Sequence, residues 1–95
     1  MARSRMTRIR LNSTASMSKL VSDGSVAVLT DRPVSKNSKV AIGRLVCTVA
    51  DVVPATDENI DRLVRMSGYG TAAEWLGHYP RRRPKYILVV RLGLQ

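Results

Sequence analysis

The stretch Val40-Ala41-Ile42-Gly43-Arg44-Leu45-Val46-Cys47-Thr48-Val49-Ala50-Asp51-Val52-Val53 decides the fold. It is rich in β-branched residues, which fit a pleated, half-buried surface, and it stops at Pro54, which cannot donate to a sheet ladder. The expectation is one long strand, bent at Gly43. Just upstream, residues 25–30 place Val26, Val28 and Leu29 between Gly24 and Pro33, a strand followed by a turn, and 35–39 read as a polar, basic loop. Near the end, Ile87, Leu88, Val89 and Val90 within 86–92 form a closing strand, apolar enough for a sheet centre.

Helices fill the intervals. Asn12 or Ser13 is placed to cap a short helix with Met17, Leu20 and Val21 on one face, ended by Asp23-Gly24. Beyond Pro54, Thr56 caps a second helix whose first turn holds Asp57, Glu58 and Asp61, where the helix dipole favours negative charge. Its buried stripe is Ile60, Leu63 and Val64, and Ser67-Gly68 closes it. Thr71-Ala72-Ala73-Glu74 matches a capping box, in which hydroxyl and carboxylate satisfy free amides reciprocally. It opens a third short helix carrying Trp75 and Leu76, terminated by Pro80. At the other extreme, residues 1–10 are a basic arm, and the alternation of Arg8 and Arg10 with Ile9 and Leu11 makes its last part a candidate first strand.

Ninety-five residues suffice for one domain with a modest core, and 44% hydrophobic residues place the chain among globular proteins. Its division is a basic arm over 1–10 and a single domain over 11–95. The 16 Lys and Arg against 7 Asp and Glu leave a formal charge of +9, which calls for a polyanionic partner. Arginine outnumbers lysine, and the guanidinium suits bidentate phosphate contacts, so nucleic acid outranks a membrane surface. No apolar stretch reaches the length of a membrane span, and a lone cysteine fits a reducing compartment, so a cytoplasmic location is expected. With no Phe, three Tyr and one Trp, a stacking platform for single strands is poorly supplied.

No enzyme is expected. His78 and Cys47 are the only histidine and the only thiol, so any His, Cys or metal chemistry would have to use both. Asp57, Glu58 and Asp61 are explained by the helix start, and the glycines sit at turns and bends away from any phosphate-cradling spacing. Catalytic residues, metal and cofactor are therefore all expected to be none.

The densest constellation is Arg81-Arg82-Arg83-Pro84-Lys85, just before the closing strand. Such density costs self-repulsion unless an anion relieves it, and Pro84 keeps the segment extended, so that successive cations can track successive phosphates. Trp75, Tyr79 and Tyr86 flank it, with Trp75 read as core in preference to a base platform. Charge is also unevenly distributed. Residues 1–50 hold nine basic groups against two acidic, whereas 51–76 hold two against five. One face bearing the arm, Lys36, Lys39 and the 81–85 loop is a candidate RNA surface, with the acidic helix turned outward or onto another protein.

The order helix, strand, loop, long strand, acidic helix, then Ser67-Gly68-Tyr69-Gly70-Thr71-Ala72-Ala73-Glu74-Trp75-Leu76 and a final strand resembles the ASCH domain of the PUA-like superfamily. The resemblance covers roughly residues 11–92. It implies an α+β fold, a small PUA-like β-barrel with two or three short helices behind the basic arm, and RNA as the partner class. The family's cleft motif, G-x-K-x-x-E-x-R, would open at Gly24, but its Lys, Glu and Arg positions fall on Val26, Leu29 and Asp31. Val and Leu cannot exchange protons, so no catalytic residue is carried over.

The expected function is therefore a structural RNA-binding protein of a ribonucleoprotein particle, foremost a ribosomal protein with neighbouring proteins around it. Arg3, Arg5, Arg8, Arg10, Lys36, Lys39, Arg81, Arg82, Arg83 and Lys85 are the expected phosphate contacts. The alternatives are an ASCH-like nucleoside-binding protein or amidohydrolase with an altered cleft, and a DNA or chromatin protein.

Overall fold

In the computed structural model, which describes residues 7–11, 14–79 and 83–92, the chain forms β1 (Thr7–Ile9), α1 (Thr14–Asp23), β2 (Ser25–Thr30), β3 (Lys39–Ile42), β4 (Leu45–Pro54), α2 (Asp57–Leu63), a 3₁₀ turn (Val64–Met66), α3 (Ala72–Gly77) and β5 (Tyr86–Leu92). The strands make one curled sheet in the order β1-β3-β4-β5-β2. Only β1 runs parallel to its neighbour, and the other pairings are antiparallel. The fold is thus α+β, a half-barrel sheet with three short helices.

The long strand expected over 40–53 is in fact a hairpin. Ile42 pairs with Leu45, so Gly43 and Arg44 alone make the turn. Gly43 sits at φ 60° while Arg44 does not share the positive sign, and a left-handed first turn residue matches the right-handed twist of the flanking strands. A bend expected within one strand is therefore a reversal between two. The bend of the sheet lies elsewhere, at Ala50. Val49 pairs with Val90 and Asp51 with Val89, leaving Ala50 as the extra residue of a β-bulge, which sharpens local twist. The Asp51 carboxylate accepts the Val52 amide at 2.9 Å, pairing a backbone donor at the bulge.

Two apolar clusters lie on opposite faces of this sheet. Along the inner face, Val26, Val28, Val40, Ile42, Cys47, Val49, Leu88 and Val90 pack with Ile9 from β1 and Leu20 from α1. On the outer face, Ala27, Leu29 and Ile87 pack against Ile60 of α2 and Trp75 of α3. Strands β2 and β5 are buried on both sides, which is why their sequences run apolar without alternation.

Helix α1 presents Ser16, Met17 and Leu20 inward, and Val21, expected on that face, is 62% exposed. Ser16 and Leu20, four residues apart, define the stripe, and Val21 falls a further 100° around the helix. Gly24, at φ 79°, ends the helix by donating its amide to the Leu20 carbonyl. Thr56 and Thr71 cap α2 and α3 as expected, each hydroxyl accepting the amide three residues on. Glu74 departs from the capping-box expectation by one residue, because its carboxylate accepts from Gly70 and not from Thr71.

Candidate nucleic-acid interface

Of the expected phosphate contacts, Arg3, Arg5, Arg81 and Arg82 lie outside the described residues. The other six are all exposed, and apart from Arg10 the fold distributes them between two ends of the sheet.

At the hairpin end, register places basic side chains in neighbouring rows. Lys39 pairs with Thr48, and Thr48 pairs with Arg91, so one row across β3, β4 and β5 reads Lys39, Thr48, Arg91. Two residues toward the turn, Arg8 pairs with Ala41 and Ala41 with Val46. Directly opposed residues share a face and alternate residues return to it, so Arg8, Lys39 and Arg91 all project from the outer face. The second apolar cluster and its helices cover that face around β2, the start of β5 and the end of β4. Arg44 stands on the turn itself, and Lys36 precedes Asn37, whose amide is tied to the Val49 carbonyl at 2.7 Å.

The opposite end holds Arg83 and Lys85. Lys85 is fixed through its backbone, its amide donating to Thr30 and its carbonyl accepting from Ala55, with its side chain in solvent. Arg83 donates to the Asp57 carboxylate at 2.9 Å. Asp57, Glu58 and Asp61 are exposed beside it on α2. From Arg91 back to Lys85 is six strand residues, about 20 Å. For the described residues, Lys39 and the Arg83–Lys85 part of the 81–85 loop therefore stand at two separate poles.

Arg44 and Arg91 complete the hairpin pole and stand outside the ten expected phosphate contacts. A Gly-X pair between apolar runs signals a two-residue turn and would have exposed Arg44. Arg91, flanked by Val90 and Leu92, takes the outward side of a strand that is apolar on the other.

Arg10 stands apart from both poles. With Leu11 it lines a small cleft of about 30 Å³ whose other walls include Ser16, residues 27–29 of β2, Tyr69, Trp75 and His78. That space admits a water molecule or two and no base or sugar. His78 caps α3, its Nδ1 lying 3.0 Å from the Glu74 carbonyl and its ring 4.8 Å from that of Tyr69. Trp75 is buried, so its expected place in the core is the observed one. Among the described residues no three His, Cys, Asp or Glu side chains gather where a metal ion could be held.

Among the described residues the other charged pair is Lys19 with Asp23 at 2.8 Å along α1, where the hydrogen-bonded ammonium and its charge hold the carboxyl below its ordinary value. Comparisons with known protein families, with characterised proteins and with solved structures find no match.

Proposed function

We propose that this protein binds RNA through phosphate contacts from its arginines and lysines, as a structural component of a ribonucleoprotein particle, the ribosome foremost. One observation carries the reading. Among the described residues only Lys19 and Arg83 lie within ion-pair distance of a carboxylate, and every other Lys and Arg side chain is exposed. A formal charge of +9 that is left uncompensated on so small a surface disfavours the compact state by self-repulsion, and a polyanion relieves that cost. Arginine supplies most of the charge and binds phosphate with two parallel donors.

The curled sheet is, in this proposal, an open relative of the PUA-like barrel. Its two outer strands approach one another, since Arg10 and Leu11 after β1 line the same cleft as residues 27–29 of β2. In the described residues no helix is long and apolar enough to cross a membrane.

Filter binding to structured RNA in rising salt tests the proposal. A protein neutralising 6–10 phosphates loses roughly 10³–10⁵ in affinity between 50 and 200 mM salt, and a flat response rejects phosphate binding. Sucrose-gradient fractionation of a native extract tests the particle: co-migration with a ribosomal subunit is expected, and sedimentation as a free small protein removes that assignment.

A further inference from the structure

We infer that the outer sheet face at the Gly43-Arg44 end, carrying Arg8, Lys39 and Arg91 with Arg44 on the turn at its edge, is the surface that docks on the sugar-phosphate backbone of helical RNA. The inference rests on the RNA-binding reading and assigns it to one pole of the molecule.

Three observations select this pole. The four cations are exposed and have no carboxylate partner among the described residues, whereas at the other pole Asp57 already engages Arg83, with Glu58 and Asp61 alongside. Asp51 borders the face, but its carboxylate is turned back to the Val52 amide. Lys39 and Arg91 are also held in place by strand pairing, two strands apart across β4, or about 10 Å. Cations on a rigid sheet lose less freedom on docking than cations on a loop.

The same face decides the kind of RNA. Between and beside the cations lie Ala41, Val46 and Thr48, with no aromatic side chain. Single-strand binding depends on bases stacking on aromatic rings, and this face supplies none. Helical RNA hides its base edges in a deep, narrow major groove and offers phosphates and 2′-hydroxyls outside. Arg and Lys suit the phosphates, the Thr48 hydroxyl suits a 2′-hydroxyl or phosphate, and exposed Val46 is apolar surface that contact would cover.

The test is fluorescence anisotropy with a labelled RNA duplex of about 20 base pairs, longer than the roughly 16 that a small double-strand-binding domain spans. The full chain is compared with the double variants R44E/R91E and R83E/K85E at 0.1 M salt. R44E/R91E is expected to lose roughly tenfold or more in affinity and to flatten the salt slope by about two, one per phosphate contact removed. R83E/K85E is expected to change affinity by no more than about threefold, because charges ~20 Å away are screened at that ionic strength. Lysine acetylation of the unaltered protein gives a second measurement that does not depend on a variant folding: duplex RNA should shield Lys39 and leave Lys85 reactive.

Loss of binding in R83E/K85E but not in R44E/R91E, or shielding of Lys85 in place of Lys39, overturns the face assignment and leaves RNA binding standing. Equal affinity for duplex DNA, or tighter binding to a single strand of the same length, overturns the assignment of helical RNA. No binding of the unaltered protein to any RNA at low salt overturns both this inference and the reading beneath it.

Discussion

The Ser16 hydroxyl donates a 2.6 Å hydrogen bond to the carbonyl of Ser67, joining two buried residues 51 positions apart. It fastens the first turn of α1, which packs on the inner face, to the loop that leaves the 3₁₀ turn on the outer face. Gly68 completes the joint. It adopts φ 92°, and a Cβ there would stand 2.7 Å from the Ala15 carbonyl oxygen, so the helix and the loop meet backbone to backbone. Ser67 adds its own hydroxyl, donating to Val64 and accepting the Tyr69 amide.

This joint predicts an ordered pair of losses. Ser16→Ala leaves a buried carbonyl without its donor and should cost about 1–3 kcal/mol in urea unfolding. Gly68→Ala adds left-handed strain to a backbone clash and should cost about 3 kcal/mol or more. If Gly68→Ala proved the milder change, the close approach of Ala15 would not be a feature of the folded protein.

Cys47 is fully buried at the centre of the inner cluster, opposite Val40 and beside Leu92. Burial pushes its thiol above the ordinary value of 9.0, because the thiolate loses hydration that the apolar core does not replace. A folded-state value above the unfolded one means that the unfolded chain gives up its proton first. The stabilisation is therefore complete below pH 9.0 and declines as pH rises through and past that value. A thiol-specific reagent should label the native protein only as fast as it opens. Cys47→Ser, which buries a hydroxyl among hydrocarbon, should cost about 1–3 kcal/mol by denaturant titration.

How much of the fold is legible in the sequence depends on the element. Strands β2 and β5 and all three helices follow from β-branched runs, caps and glycine stops, because those signals are local. The hairpin is hidden because the apolar runs on either side of Gly43-Arg44 read together as one strand, in which a lone glycine signals a bend as readily as a reversal, and the bulge at Ala50 disguises the second half of β4. Before the bulge the odd residues Leu45, Cys47 and Val49 face inward, and after it Val52 does, so one inserted residue swaps the parity from which a strand is recognised. For the basic surface, exposure of single residues such as Lys39 is readable, since charge is rarely buried. Which cations become neighbours is set by pairing between β1, β3, β4 and β5, and register between distant strands is not written in any one of them. Hence Arg8, Lys39 and Arg91 appear together only in the folded sheet, while Lys85, six residues before Arg91, ends about 20 Å away.

Trp75, at 4% exposure, offers a reporter separate from the basic face. Its emission should be that of a buried indole, shift to the red on unfolding and stay unchanged when RNA is added. Quenching by RNA would place a base against the ring and shift the interface toward the Arg10 cleft. Trp75→Ala should cost about 3–5 kcal/mol, enough to unfold a domain of this size, so Trp75→Phe is the variant for binding work.

Gly43 sets the geometry of the turn that carries Arg44. Its Cβ position is open, with the Met17 methyl at an ordinary 3.7 Å, so the cost of substitution comes from φ 60° alone. Gly43→Ala should destabilise by about 1–2 kcal/mol, with unfolding cooperativity retained in a denaturant series. A neutral result would mean that the turn relaxes to another form, and Arg44 would then move with it.

The pairing of Arg83 with Asp57 is the place where the protein spends one of its own carboxylates on a cation expected to meet phosphate. The two side chains are 62% and 89% exposed, so solvent screens their attraction and the pair should add little to stability. Asp57 has a second role, since it stands in the first turn of α2 where the helix dipole favours a negative charge by about 0.3–1 kcal/mol. Thr56 does more, because its hydroxyl satisfies the Asn59 amide and its loss should cost about 1 kcal/mol. Urea midpoints should accordingly fall most for Thr56→Ala, less for Asp57→Asn and least for Arg83→Ala, with the last difference shrinking further in high salt. A loss for Arg83→Ala larger than that for Thr56→Ala would show that the ion pair anchors the loop to α2, and that Arg83 is a structural residue unavailable to any partner.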